Sequence, residues 1–388
     1  MTNVNAATRV LFEDFPPAAI VVFYVIAYTA IAVFFYGVYV AVRKYRRGAA
    51  AAVAGSLRAR FWAMVETVLS HRTIARRDRP AGAAHRLIFY GFVLLFLGTS
   101  TITLDYDILG PLFHVHFWHG AFYLWFSLVL DVAGVALTGG LLYMMYRRGW
   151  LKPPKLDYAR PDRKPGDVDY DRSEYRREDW AFLWTLLVIA VTGYLLEAVR
   201  LVWLEARPDV WDTRWWSPVG AALAQGMRAA GMSAAAGGAW RLGLWWFHGV
   251  LALIPFTKVK HIFTAAGSLM LRDPLAAQRL PRVPEQQQRV GAQYITDFTW
   301  KQLLALDACT KCGRCHEACP ARAVGAPLSP RDVILSLREF ANRTLDAGVL
   351  PEQAELDVHG KGPGQVAMET LWSCRTCMAC VEVCTEAI

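Results

Sequence analysis

Residues Ala18 to Val42 read AAIVVFYVIAYTAIAVFFYGVYVAV, 25 positions without a charged side chain. A helix needs about 20 apolar residues to cross the hydrocarbon core of a bilayer, so this stretch predicts a membrane span. It is too long for the apolar core of a signal peptide and has no basic segment ahead of it, so it reads as retained. Similar stretches follow. Leu87 to Leu104 is uncharged over 18 residues. Phe117 to Tyr146 is interrupted only by Asp131. A run from Trp180 meets Glu197 and Arg200 near its far end, and a fifth runs from Leu242 to about Thr257 and continues as helix past Pro255. The sequence therefore predicts a membrane all-α fold: a five-helix transmembrane bundle with spans at about 18–42, 87–104, 117–146, 180–204 and 242–264.

Composition agrees. Of 388 residues, 55% are apolar and 19% charged, against roughly a quarter charged in ordinary soluble chains. The charges are also unevenly spread, which excludes a single soluble globule and a disordered chain. Lysine and arginine concentrate in 43–86, with 11, and in 147–178, with 10. The first 17 residues hold one, 105–116 none, and 205–239 three. Basic loops stay inside, so the reading puts the N-terminus outside and everything after the fifth span in the cytoplasm, as for a multi-pass protein of the inner membrane. The net charge of +9 is then a topogenic, lipid-facing surplus, with no nucleic-acid patch. Trp211, Trp215, Trp216, Trp240, Trp245 and Trp246 crowd the other side, as an interfacial aromatic belt would.

The chain divides into a transmembrane part over 1–270, a linker over 271–293 rich in Pro, Gln and Arg, and a small domain over 294–388. All 8 cysteines fall in the last. They form two runs, Cys309-x2-Cys312-x2-Cys315-x3-Cys319 and Cys374-x2-Cys377-x2-Cys380-x3-Cys384. In two-cluster ferredoxins the last cysteine of each run ligates the other run's cluster. One [4Fe-4S] cluster is thus assigned to Cys309, Cys312, Cys315 and Cys384, and the other to Cys374, Cys377, Cys380 and Cys319. Disulfides do not suit a reducing compartment. Structural zinc uses paired C-x2-C without the further cysteine. Pro320 follows Cys319 as the ferredoxin pattern expects, whereas Thr385 follows Cys384. The 54 residues between the runs exceed a minimal ferredoxin and contain a predicted helix over Pro330 to Thr344. Because the chain ends four residues after Cys384, a further domain or separate subunit is expected.

Nine histidines occur. His71, His316 and His359 read as solvated or packing residues, and His114 and His116 lie in the outer loop. His85, His119, His248 and His261 fall on spans, where ionisable groups are functional candidates. By depth they sort into an inner pair, His85 with His261, and an outer pair, His119 with His248. His248 and His261 are 13 residues apart, about 20 Å at helical rise, which suits two haem irons stacked across a bilayer. Imidazole is a natural axial ligand, and the absence of C-x-x-C-H excludes covalent attachment. The alternative for each is a hydrogen-bonding histidine, with His114 and His116 as rivals to His119. Gly91, Gly98, Gly120, Gly134, Gly193 and Gly249 would let helices or a flat macrocycle approach closely.

Asp131, Glu197 and Arg200 remain as charges at membrane depth. Glu197 and Arg200 form an i, i+3 pair that can neutralise itself. The functional alternative sets Arg200 on a haem propionate or Glu197 on a quinone hydroxyl. Lys258 and Lys260 are further propionate candidates, or snorkel to the interface.

These residues resemble known families. His85 with FYGFVLLFLGT, the stretch FWHGAFYLWFSLVLDVAG, and WFHGVLALIPFTKVKHIF resemble the membrane gamma subunit of respiratory nitrate reductase, a di-haem cytochrome b, over about 1–265. Segment 301–388 resembles the iron–sulfur part of heterodisulfide-reductase-like proteins. One family fuses the two: membrane iron–sulfur proteins passing electrons between electron-transfer flavoprotein and menaquinone. Those fusions continue into cysteine-rich CCG domains, which are absent from this sequence. The resemblance implies two b haems at His85, His119, His248 and His261, and a quinone pocket beside one of them.

The expected function is an oxidoreductase of the respiratory chain linking a cytoplasmic partner to the quinone pool. That partner is an electron-transfer flavoprotein or a CCG-domain protein. The second reading is a component of a heterodisulfide-reductase-like or sulfite-pathway complex, moving electrons from quinol to a disulfide acceptor. A third is a transporter or anchor with a redox-sensing iron–sulfur domain and no haem.

Overall fold

The computed structural model describes residues 7–9, 11–12, 15–53, 55–167, 169–207, 213–253, 260–276, 278, 291–346, 348, 355–356 and 364–386. Among these the regular elements are helices, with isolated β-bridges and no strand. In chain order they are α1 Pro17–Tyr45, α2 Leu57–Ser70, α3 Arg72–Ala75, α4 Arg79–Thr103, α5 Gly110–Phe113, α6 Gly120–Tyr146, α7 Ser173–Leu204, α8 Pro218–Ala229 and α9 Ala234–Leu253. Then come α10 Lys260–Leu271, α11 Trp300–Ala308, α12 Arg314–Ala318, α13 Pro320–Ala323, α14 Pro330–Ala341, α15 Met368–Trp372 and α16 Ala379–Glu382.

Four helical stretches are long and apolar enough to cross a membrane: Pro17–Tyr45, Arg79–Phe113, Gly120–Leu151 and Ser173–Leu204. α1 exposes Val21, Val25, Tyr28, Val33, Phe35 and Tyr36, a face that water would not tolerate and lipid would. The expected fifth span begins on α9, and α10 carries its far end. Residues 254–259 between them, with Lys258, lie outside the described residues, as do Trp211, His359 and most of the expected linker.

The chain forms two compact units. The first takes 1–32, 79–146 and 181–255; the second takes 33–78, 147–180 and 256–388.

In the first unit α4 packs along α6 through small residues. A Cβ on Gly91 would lie 2.7 Å from the Ala133 carbonyl oxygen, and one on Gly140 2.8 Å from that of Ala84. Only a bare backbone permits that approach, the usual device where lipid offers no hydrophobic drive between helices. Gly98 meets the Leu130 side chain and Gly134 the Tyr194 ring. Two of the expected belt tryptophans, Trp215 and Trp240, are exposed. Trp245 instead packs on the rings of Phe12, Phe15 and Phe23 at 5.4, 5.2 and 4.3 Å.

The segment before α8 was expected as an outer loop. α8, which follows it, packs against α6 in the first unit. The Val219 amide donates to the Asp131 carboxylate at 3.0 Å, and Asp131 lies eleven residues into α6, about 16 Å along it. The buried carboxylate thereby faces the positive end of the α8 dipole.

In the second unit Tyr45, Ile295, Leu303, Leu306, Ala341 and Leu345 form an apolar core. Thr299 and Gln302 close a reciprocal capping box on α11, and Ser329 caps α14 through the Asp332 amide. Part of the basic surplus is consumed here rather than left to lipid. Arg172 is fully buried and binds Glu339, the Ser336 hydroxyl at 2.8 Å and the Asp332 carbonyl at 3.3 Å. Lys44 and Lys260 each reach Asp307 at 2.7 Å. Arg60 donates to the carbonyls of Met270 and Arg272.

Candidate functional site

The two cysteine runs are built alike. In the first, α11 ends at Ala308, and the chain turns through Lys311 (φ 59°) and Gly313 (φ 74°) on either side of Cys312. In the second, α15 ends at Trp372, and Thr376 (φ 48°) and Met378 (φ 61°) flank Cys377. Left-handed backbone is unfavourable for non-glycine residues and persists where the surroundings enforce it, typically at functional sites. The third cysteine of each run then opens a short helix, Cys315 on α12 and Cys380 on α16. Gly313 lies so close to the Lys155 carbonyl that no Cβ fits. Pro320, at the first position of α13, follows Cys319, where its missing N–H costs nothing.

α12 and α16, which carry the third cysteines of the two runs, pack against each other. Burial and then the neighbouring thiols of Cys309, Cys312 and Cys384 push Cys315 well up. Burial, Cys374 and Cys319 act likewise on Cys380. Each triple therefore has the other run's last cysteine beside it. Among the described residues no three His, Cys, Asp or Glu side chains close around a single ion. Thiols gathered where ionisation is disfavoured suit a multi-iron core, whose positive charge reverses the local preference for the neutral form. The Arg338 guanidinium donates to the Cys309 carbonyl at 3.0 Å and stacks on Tyr175, whose hydroxyl donates to Glu339 at 2.6 Å. Lys311 pairs with Glu178 and Asp179 at 2.8 and 2.9 Å. Sequence spacing alone gave no sign of these supports, because their partners come from distant segments. His316 and His71 are buried and pack. The Nδ1 of His316 meets Ser329 Oγ at 2.7 Å, and burial with Arg331 and Arg322 brings its pKa down to about 4.

Among the expected haem histidines, His248 is set against Thr192 and Gly193. The Thr192 hydroxyl donates to the Val188 carbonyl at 2.7 Å and lies 3.0 Å from His248 Nδ1. With its proton so used, that oxygen accepts from Nδ1–H, which leaves the Nε2 lone pair for a metal. Gly193 faces the ring, and a Cβ there would stand 3.3 Å from Cε1. His119 is exposed at the start of α6, its backbone bridged to Thr8. His85 and His261 are half-buried on α4 and α10 and belong to different units. Of the rivals, His116 Nδ1 is 3.2 Å from the buried Asp105 carboxylate, whereas His114 is an exposed left-handed cap. Gly249 packs under Phe23, and Gly120 turns with positive φ to start α6. Lys260 is taken up by Asp307.

Glu197 and Arg200 form a buried bidentate pair at 2.9 and 2.6 Å, and Arg200 also donates to Thr213 at 3.1 Å. Asp131 is engaged by α8, and its backbone carbonyl accepts from Tyr194 at 2.5 Å. Beside them an apolar cavity of about 470 Å³ opens among α6, α7 and α8, lined by Val135, Thr138, Gly139, Tyr194, Leu195 and Leu223. That volume is typical of small-molecule pockets.

Apolar helices and a doubled cysteine loop with crossed partners define a membrane-anchored iron–sulfur protein. Residues 308–388 match the 4Fe-4S dicluster domain family. The chain is 29% identical over 354 residues to the EtfAB:quinone oxidoreductase of Syntrophomonas wolfei, covering 84% of this chain and 46% of that protein. It is 40% identical over 113 residues to a probable membrane-anchored ferredoxin of Chromohalobacter salexigens, covering 26% and 17%. It is 35% identical over 106 residues to one component of the dihydromethanophenazine:CoB–CoM heterodisulfide reductase of Methanosarcina mazei, covering 24% and 23%. The resemblance to membrane iron–sulfur oxidoreductase fusions is shown by these matches. The chain spans less than half the length of these relatives. No solved structure matches it.

Proposed function

We propose that this chain is an electron conduit between a cytoplasmic redox partner and the quinone pool, with two [4Fe-4S] clusters and two b haems. The doubled cysteine loop, with left-handed turns at Lys311 and Gly313 and again at Thr376 and Met378, within a region that matches a 4Fe-4S dicluster family, carries the reading. It supports one cluster on Cys309, Cys312, Cys315 and Cys384 and another on Cys374, Cys377, Cys380 and Cys319. The haem ligands are His119 with His248 and His85 with His261; the Thr192-oriented ring of His248 supports the first pair most directly. When bound, these groups supply one-electron carriage, and the protein sets their spacing, burial and potentials.

The chain's own residues do the rest. Lys311 and Arg338 place positive charge and a donated hydrogen bond beside the first cysteine loop, favouring the more negative, reduced state there. Thr192 fixes the His248 tautomer. We place the quinone ring in the cavity between α6, α7 and α8, whose lining is apolar. Asp131, Glu197 and Arg200 are then structural charges, each already matched. The distribution of basic residues supports an N-terminus outside and everything after the fifth span, which ends at about 264, in the cytoplasm.

The match to a heterodisulfide reductase component favours a second reading, transfer from quinol to a cytoplasmic disulfide. The partner separates the two. Reduction of quinone by a reduced electron-transfer flavoprotein supports the first, and reduction of a disulfide by quinol supports the second. A reduced-minus-oxidised spectrum of the purified protein tests the cofactor set; a preparation with eight irons in clusters and no haem bands refutes the haem assignment.

A further inference from the structure

The short segment ahead of α1 is tied to the turn that carries His119. The Gly120 amide donates to the Ala7 carbonyl at 2.7 Å, Thr8 bridges His119, and the Thr8 hydroxyl donates to the Trp118 carbonyl at 3.2 Å. The Tyr106 hydroxyl donates to the Arg9 carbonyl at 2.8 Å, and Ala7 is fully buried. Arg9 is thus fixed beside His119. It is also an electrostatic neighbour of both Glu197 and His248, so residues 7–9 join the two expected ligands of one haem.

Among the described residues the charges here do not balance. Both Glu197 oxygens are engaged by Arg200. Asp131 faces the α8 amides, and Asp105 is held by the Phe117 amide at 2.6 Å and by His116. Arg9 remains as a second guanidinium against one free-standing carboxylate, and among the described residues its buried Nε has no hydrogen-bond partner. A guanidinium is shaped to take a carboxylate by two parallel hydrogen bonds, and Arg9 makes no such pair among the described residues.

We propose that Arg9 is the anchor for a carboxylate of the ligand held between His119 and His248, namely a propionate of the outer haem. This rests on the haem reading above. It gives residues 7–9 a binding role: Ala7 and Thr8 tie to the His119 turn, and Arg9 supplies the charge that holds the macrocycle's acidic edge.

The test is redox potentiometry on the purified holo-protein, following the two haems separately. A neutral side chain at position 9 removes positive charge beside one iron and favours its oxidised state. R9Q is expected to lower the midpoint potential of one haem and leave the other unchanged, with both haems still bound, while R9K restores the wild-type value. Two midpoints unchanged in R9Q overturn the proposal. If R9Q does not assemble, R9H supplies the contrast within one protein. The midpoint of one haem then falls more steeply than in wild type as pH is raised through the imidazole's titration, with Glu197, Arg200, His248, Tyr106 and Asp105 as the other groups around the site. Midpoints that track wild type across that range overturn it equally. A wild-type protein without haem would instead defeat the underlying reading, and is recognised before any variant is made.

Discussion

The two units keep buried charge by opposite means. In the first, the buried carboxylates have few partners: Glu197 has Arg200 one turn away, and Asp131 has a helix end. The helices there meet through glycine, as at Gly91 and Gly140. In the second unit the charges form long-range networks. Lys44, Lys260 and Tyr45 converge on Asp307, and Arg172 crosses to Glu339, Ser336 and Asp332. The difference follows from solvent. Lipid favours shape and self-satisfied backbone, whereas a small iron–sulfur region with a modest apolar core draws cohesion from ion pairs.

This contrast can be broken most severely at Asp307. An Asp307→Ala variant leaves Lys44 buried and unpaired, and removing one partner of a buried pair costs about 3–5 kcal/mol. The expected result is loss of bound iron together with a lower unfolding temperature, read by iron content and calorimetry. Arg172→Ala is expected to fall in the same range by the same measurements, since Glu339 and Asp332 lose their common cation. Wild-type stability for both would show that the second unit does not depend on its ion networks.

Next comes close approach in the first unit. Gly91→Val drives a branched side chain into the Ala133 carbonyl, and overpacking of this kind costs about 1–3 kcal/mol. Detergent-solubilised protein should unfold earlier with its iron–sulfur signals intact. A parallel loss of iron would mean that the two regions are not separable in stability. Asp131→Ala removes the acceptor at the α8 terminus and is expected to cost about 1 kcal/mol, with Asp131→Asn costing less because an amide still accepts the bond. The smallest effect belongs to exposed pairs. Glu66→Ala and Glu382→Ala, which release Arg72 and Arg77, should change stability by less than about 1 kcal/mol.

Much of this was legible without coordinates. Uncharged runs marked the long helices, because a bilayer asks only for length and apolarity. The doubled cysteine spacing marked the iron–sulfur region, because ligation is dictated by short-range geometry. The pairing of Glu197 with Arg200 followed from helical period. The roles of Thr192, Arg338 and Tyr175 were hidden, since each acts on a partner far away in the chain. The basic loops misled in part. Arg172 and Lys44 look topogenic in sequence, yet both are buried in the second unit.

The sequence by itself therefore determined the chemistry that is local: runs of apolar residues, the doubled cysteine spacing, and an i, i+3 ion pair. Tertiary structure alone decided which distant groups meet. It set the α8 terminus against Asp131 and Thr192 against His248, carried residues 7–9 beside the His119 turn, and packed α12 against α16. Periodicity records which face of a helix is apolar, and it carries no record of what that face will touch.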